Sequence, residues 1–145
     1  MDWIDEIILG LIDRYKTNNV YDLCNCLGIE IIKLDSRNIL LANSKAFYYR
    51  NIDDLEVIYL RNNLIHEEEE FILKHELGHA ILHPELSTQI YKNPFKNLGK
   101  YEFQANYFAF RLSNIDFNSI EFENLSLEQI SRYIGIPYDV LERII

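Results

Sequence analysis

The stretch from Phe71 to Leu82 constrains this chain more than any other. Phe71, Ile72, Leu73, Leu77, Ala80, Ile81 and Leu82 leave almost no polar face at helical spacing, and a helix that is apolar nearly all round is normally buried. The same stretch carries His75, Glu76 and His79. Burying two imidazoles and a carboxylate without partners would cost several kcal/mol. The fold must therefore bond them internally or give them a common ion.

The spacing favours an ion. Residues four apart on a helix lie about 40° apart in azimuth and about 6 Å along the axis, so His75 and His79 can reach one metal. Glu76 projects beside them, able to touch a coordinated water without ligating the metal. His-Glu-x-x-His is the pattern of a zinc hydrolase that uses its glutamate as general base. Such a zinc needs a third protein ligand and one open position. His83 continues the series but sits about 12 Å along the axis from His75, too far to share an ion at bond lengths of ~2 Å; it reads as a helix C-terminal histidine stabilised by the dipole. Position 82 is Leu, which excludes the three-histidine metzincin pattern. His66 precedes the helix without a partner at ligand spacing and reads as surface or strand-end packing.

Glu102 is the better third ligand. Glu102, Ala105, Asn106 and Ala109 share one helical stripe. A carboxylate ligand is short, so its helix must approach the histidine helix closely, and alanines at 105 and 109 remove the bulk that would prevent it. Asn106, one turn beyond Glu102, can accept the second ring N–H of a ligating histidine and so fix its tautomer.

The remaining pattern frames this pair of helices. Residues 2–16 read as a helix with Asp2 as N-cap, and Asn18 or Asn19 caps a second helix through Leu27, ended by Gly28. Strands follow at Ile29–Leu34, Ala46–Arg50 and Val57–Leu60, with a turn at Asn51–Asp54. Glu67–Glu70 read as a capped, solvated start of the histidine helix. Pro84 ends that helix, and residues 84–99 show no periodicity, which at such length marks a functional segment. Lys100–Leu112 forms the next helix. After a polar connection over residues 113–125, Ser126 and Gln129 make a capping box for a helix to Ile134, which Gly135 ends. Pro137 starts the last helix. The implied class is α+β: a small antiparallel or mixed sheet packed against a buried His-Glu-x-x-His helix and a second ligand helix, with C-terminal helices. Residues 1–145 read as one domain, with a core over 1–112 and a helical extension over 113–145.

Composition removes several function classes. Net charge is −9, from 14 Lys+Arg against 23 Asp+Glu, and no basic stripe suited to a phosphate backbone is present. The helix-turn-helix-sized segment Ser126–Ile145 carries three acids against two bases, so it reads as packing or docking surface, without direct nucleic-acid contact. No apolar run approaches a membrane span, and the acidic start does not resemble a secretion signal; a cytoplasmic location with no membrane partner is the expectation. Cys24 and Cys26 lie about 200° apart on a helix, unable to pair or share a metal, and read as reduced, buried thiols.

His75-Glu76-Leu77-Gly78-His79-Ala80-Ile81-Leu82-His83 followed by Glu102-x-x-Ala105-Asn106-x-Phe108-Ala109 resembles the ImmA/IrrE family of zinc metallopeptidases, and Leu23–Glu30 resembles that family's entry into the fold. The resemblance spans most of residues 18–112. It implies His75, His79 and Glu102 as Zn2+ ligands and Glu76 as the base. It also implies a cytoplasmic bacterial protein, often carried by phages or mobile elements, whose relatives cleave or inactivate a helix-turn-helix repressor. Two departures stand out: Gln104 replaces a common glutamate, and Arg111-Leu112-Ser113-Asn114 replaces a Leu-Met-Pro ending. The expected activity is zinc-dependent endopeptidase cleavage of such a DNA-binding repressor. The rivals are a regulator that acts on a protein partner by contact without hydrolysis, and a zinc hydrolase of small amides. Tyr91, Tyr101 and Tyr107 are equal candidates for an oxyanion donor.

Overall fold

The computed structural model describes residues 1–85 and 98–145, with the backbone alone for Leu98. Its elements are α1 (Asp2–Tyr15), α2 (Val20–Cys26), β1 (Ile29–Leu34), β2 (Ala46–Arg50), β3 (Glu56–Arg61), α3 (His66–Leu82), α4 (Leu98–Ser113), α5 (Leu127–Ile134) and α6 (Tyr138–Ile144). The class is α+β with a small mixed sheet. The sheet has the order β1-β3-β2, with β3 parallel to β1 and antiparallel to β2. Tyr48 stands opposite Ile58 in this register. β2 is thus an edge strand, packed along α3.

Two apolar clusters hold the layers together. Ile4 and Ile8 of α1, Leu23 of α2, Ile58 and Leu60 of β3, Leu73 and Leu77 of α3, and Phe108 and Leu112 of α4 form the first. Phe71, Ala109, Phe110, Ile130, Ile136 and Leu141 form the second, which seats α5 and α6 against α3 and α4. The Ser126–Gln129 capping box is present: Gln129 N–H donates to Ser126 Oγ at 3.1 Å and Ser126 N–H donates to Gln129 Oε1 at 2.8 Å. Gly135 ends α5 at φ +77°, where an added Cβ would lie 2.9 Å from Glu67 Cβ. This turn therefore needs glycine both for its backbone and for its close seat on α3.

Several local expectations change. Asp2 is the first residue of α1 and does not cap it; Met1 takes that position without a side-chain bond, so Asp2 acts only through the dipole. Asn19, rather than Asn18, caps α2, accepting Asp22 N–H at 3.1 Å. α4 begins at Leu98, two residues earlier than the periodicity predicts; the rest of the aperiodic segment beyond Glu85, with Tyr91, lies outside the described residues. Cys24 is buried, its thiol pushed up to about 12 by burial and then by Glu56, whereas Cys26 is exposed. The half-turn between them puts only one thiol on the packed face.

The acidic run is not uniformly solvated. Glu69 is 6% exposed, receiving Lys33 Nζ at 2.8 Å and Tyr21 Oη at 2.5 Å. It ties the start of α3 to β1 and α2. Burial works to raise its pKa, but Lys33 and Tyr21 outweigh this and hold the carboxyl below its usual range. A depressed carboxyl stabilises the fold above the unfolded pKa and loses that contribution as pH falls through the folded value. Glu69→Gln should therefore cost roughly 1–3 kcal/mol at neutral pH. In denaturant titrations, the difference from the parent should shrink once pH falls below about 4.

Candidate metal centre

α3 carries the two histidines on adjacent turns. Their Nε2 atoms lie 3.1 Å apart and their rings meet edge-on with centroids 4.7 Å apart. α4 crosses above them and delivers Glu102, with Oε2 3.2 Å from His75 Nε2 and Oε1 3.0 Å from His79 Nε2. One ligand atom from each of the three residues lies within 4.8 Å of the others. The His75 and His79 side chains are 16% and 10% exposed, while that of Glu102 is 56% exposed. The cluster is walled on the histidine side and open on the carboxylate side.

The approach of α4 depends on small residues from both helices. A Cβ on Gly78 would sit 3.3 Å from Ala105 Cα and 3.2 Å from Phe108 Cδ1. Ala105 and Ala109 are wholly buried, as the sequence stripe anticipates. Gly78, in the middle of the motif, is the partner that the stripe argument overlooked; a glycine inside an otherwise strong helix is the available signal.

Outer bonds orient the rings. His75 Nδ1 lies 2.7 Å from Asn106 Oδ1. His79 Nδ1 lies 3.1 Å from His83 Nδ1, whose Nε2 lies 2.8 Å from Gln104 Oε1. His83 is thus a buried partner of His79, not a dipole-stabilised cation at the helix end. Burial holds its pKa below the ordinary histidine value, more than the Gln104 contact and Glu102 restore. His66, by contrast, is exposed and stacks on Tyr21 at 6.5 Å between centroids.

Glu76 is half-buried beside the cluster, near the backbone of Tyr48 on β2. Burial pushes its pKa up, opposed by His75 and His79 and reinforced by Glu102. The Glu102 carboxyl is held far below its usual range by its bonds to His75 and His79. For His75, burial acts downward but Glu102 and Glu76 prevail and raise the pKa.

The donor chemistry fits a divalent cation. With Asn106 accepting from Nδ1, His75 turns an unprotonated Nε2 toward the Nε2 of His79 and two carboxylate oxygens. Converging lone pairs need a proton or a cation between them, and two nitrogens with one carboxylate are borderline-soft donors of the kind zinc takes.

Space surrounds the cluster on both sides. A cavity of about 370 Å³ runs from His75, Glu76 and His79 past Phe47, Tyr48 and Pro84. A second, of about 510 Å³, shares His75 and Glu76 and extends between Phe71, Ile72, Ile136 and Val140, reaching the C-terminal helices. A larger hollow of about 560 Å³ lies between α1 and α4 and contains none of these residues. Of the tyrosine candidates, Tyr107 is turned away, donating to Asp5 at 3.0 Å. Tyr101 packs edge-on against His83, 4.7 Å between centroids.

Residues 24–145 match the family model Peptidase_M78, the IrrE N-terminal-like domain. The chain belongs to this family. It is 36% identical over 141 residues to Metallopeptidase ImmA of Bacillus subtilis (strain 168), covering 92% of this chain and 79% of that relative. It is also 31% identical over 140 residues to Uncharacterized immunity region protein 2 of Bacillus phage phi105, covering 94% of this chain and 85% of that relative. No solved structure matches. The IrrE-like match covers the cluster and the C-terminal helices alike, and it makes the chain a metallopeptidase with a metal cofactor. Among the described residues no helix is long and apolar enough to cross a membrane.

Packing at Gly78 gives a paired test. Gly78→Ala should destabilise by about 1–3 kcal/mol through overpacking, although alanine favours helix. Gly10→Ala, in α1 with nothing within 4 Å of the new Cβ, should instead stabilise by up to about 1 kcal/mol. Chemical denaturation of both variants reads the opposite signs.

Proposed function

We propose that this metallopeptidase is a zinc-dependent endopeptidase of the cytoplasm whose substrate is a helix-turn-helix repressor encoded by a phage or mobile element. The observation that carries the peptidase reading is the meeting of two cavities at His75 and Glu76, beside three converging ligand atoms. Room on both sides of one catalytic point suits a polypeptide passing through. A hydrolase of small amides needs only one enclosed pocket.

In this reading His75, His79 and Glu102 hold the zinc, and Asn106 orients His75. Zinc, when bound, acidifies a coordinated water and polarises the scissile carbonyl. Glu76 takes the proton of the attacking water and returns it to the departing amine nitrogen. Residues 1–145 act as one catalytic domain, because Ile136 and Val140 of the extension line the cavity that reaches Glu76.

The repressor reading rests on the ImmA/IrrE resemblance and on a relative named for a phage immunity region. Charge supports it: a surface with net charge −9 attracts a basic DNA-binding protein and steers its approach, an effect that salt weakens. The segment cut is an exposed, extended one, since a groove over the cluster cannot accept a folded helix.

His79→Ala should remove bound zinc and lower the melting temperature, because a ligand that binds only the native state stabilises it. Metal analysis showing unchanged zinc would overturn the ligand set. Glu76→Gln should keep zinc and abolish cleavage of the repressor encoded beside the gene, with fragments mapped by mass spectrometry at low and moderate salt. The parent should cut at one or few sites, more slowly as salt rises. Full activity of Glu76→Gln in the cell would instead favour regulation by contact.

A further inference from the structure

Two imidazoles can share an ion only if each presents an unprotonated nitrogen to it, and a neutral imidazole has one such nitrogen and one N–H. For His75 the choice is direct: Asn106 Oδ1, 2.7 Å from Nδ1, can only accept, so the proton is on Nδ1 and Nε2 is free to ligate. His79 has no such oxygen. Its Nδ1 faces the Nδ1 of His83 at 3.1 Å. Two like nitrogens hold one proton between them, and their own geometry does not decide which owns it.

The far side of His83 decides. Its Nε2 lies 2.8 Å from Gln104 Oε1, and an amide oxygen only accepts. The single proton of neutral His83 is therefore on Nε2, its Nδ1 accepts from His79 Nδ1–H, and His79 Nε2 is left bare toward Glu102 and His75. We propose that His83 and Gln104 are positioning residues that fix the tautomer of His79, so that an amide oxygen two imidazoles away makes His79 a ligand. This deepens the metal reading above and rests on it.

The surroundings suit such a relay. His79, His83 and Gln104 are 8%, 7% and 7% exposed, which leaves little access for water to replace any link. Pro84 disfavours helical geometry at the residue before it, and His83 leaves the helix at φ −133°, ψ 52° while its N–H stays bonded to the His79 carbonyl at 2.9 Å. The edge of Tyr101 against His83 restrains the ring plane. The relay has one failure mode. An inverted Gln104 amide would donate to His83 Nε2, reverse both histidines and place a proton on His79 Nε2, closing it as a ligand. A side chain that can only accept should serve as well as Gln104, and one that cannot accept should fail.

The test uses the full chain and the variants Gln104→Glu, Gln104→Leu and His83→Phe. Zinc affinity is measured by competition with a chelator, and the ring nitrogens of His83 are read by ¹⁵N chemical shifts in the metal-stripped protein at alkaline pH, where imidazoles are neutral. Expected are a fall of about 10–100-fold in affinity for Gln104→Leu and His83→Phe, parent-like affinity for Gln104→Glu, and a proton on His83 Nε2 in the parent that redistributes toward Nδ1 in Gln104→Leu. Equal losses in Gln104→Glu and Gln104→Leu, or parent affinity in Gln104→Leu, would overturn the relay. So would a parent His83 protonated on Nδ1, which needs no variant to fold. A parent that binds no zinc overturns the metal reading alone, and the ring shifts still judge the relay.

Discussion

The close crossing of α3 and α4 is the contact on which the rest of the structure depends. A glutamate side chain spans little distance, so Glu102 reaches His75 and His79 at 3.2 and 3.0 Å only because the two backbones nearly touch. Gly78 on one helix and Ala105 and Ala109 on the other provide that clearance. Leu73, Leu77, Phe108 and Leu112 then pack around the crossing as part of the main core. Core packing and the geometry of the histidine–carboxylate cluster are thus set by the same few small side chains.

A cluster of polar groups in an apolar helix needs every lone pair and N–H matched, since an unpaired buried group costs about 1–3 kcal/mol. Among the described residues no buried side-chain polar atom lacks a partner. Asn106 satisfies His75, and His83 with Gln104 satisfies His79. α4 therefore contributes more than Glu102 alone: Glu102, Gln104 and Asn106 all contact the histidines of α3, two directly and one through His83. Glu76 shares its cavity with Tyr48 of the edge strand β2, which brings the sheet up to the same cluster.

The C-terminal helices extend this arrangement outward. They dock through Phe71 on α3 and Ala109 and Phe110 on α4, and Gly135 sits so close to Glu67 that no larger residue fits without movement. Ile136 and Val140 thereby become one wall of the cavity that begins at His75 and Glu76.

The sequence by itself determined the elements whose signals are local: the three strands, the capping box at Ser126 and the long helix with histidines four apart. It also determined the family, because the two motifs on α3 and α4 are specific in combination, and it brought Glu102, Ala105 and Asn106 to one stripe. Only the tertiary structure decided what each polar residue faces. Glu69 looked like one of four solvated acids until the turn of α3 aimed it at Lys33 and Tyr21. His83 looked like a lone cation at a helix end, because the residue that completes it, Gln104, lies on another helix. Tyr107 and Tyr101 were equivalent in sequence and point in different directions in space. Helical periodicity reports which residues share a face, and it carries no information about the neighbour that face meets. Pairings across elements arise from packing, so they become legible only when the helices are placed against each other.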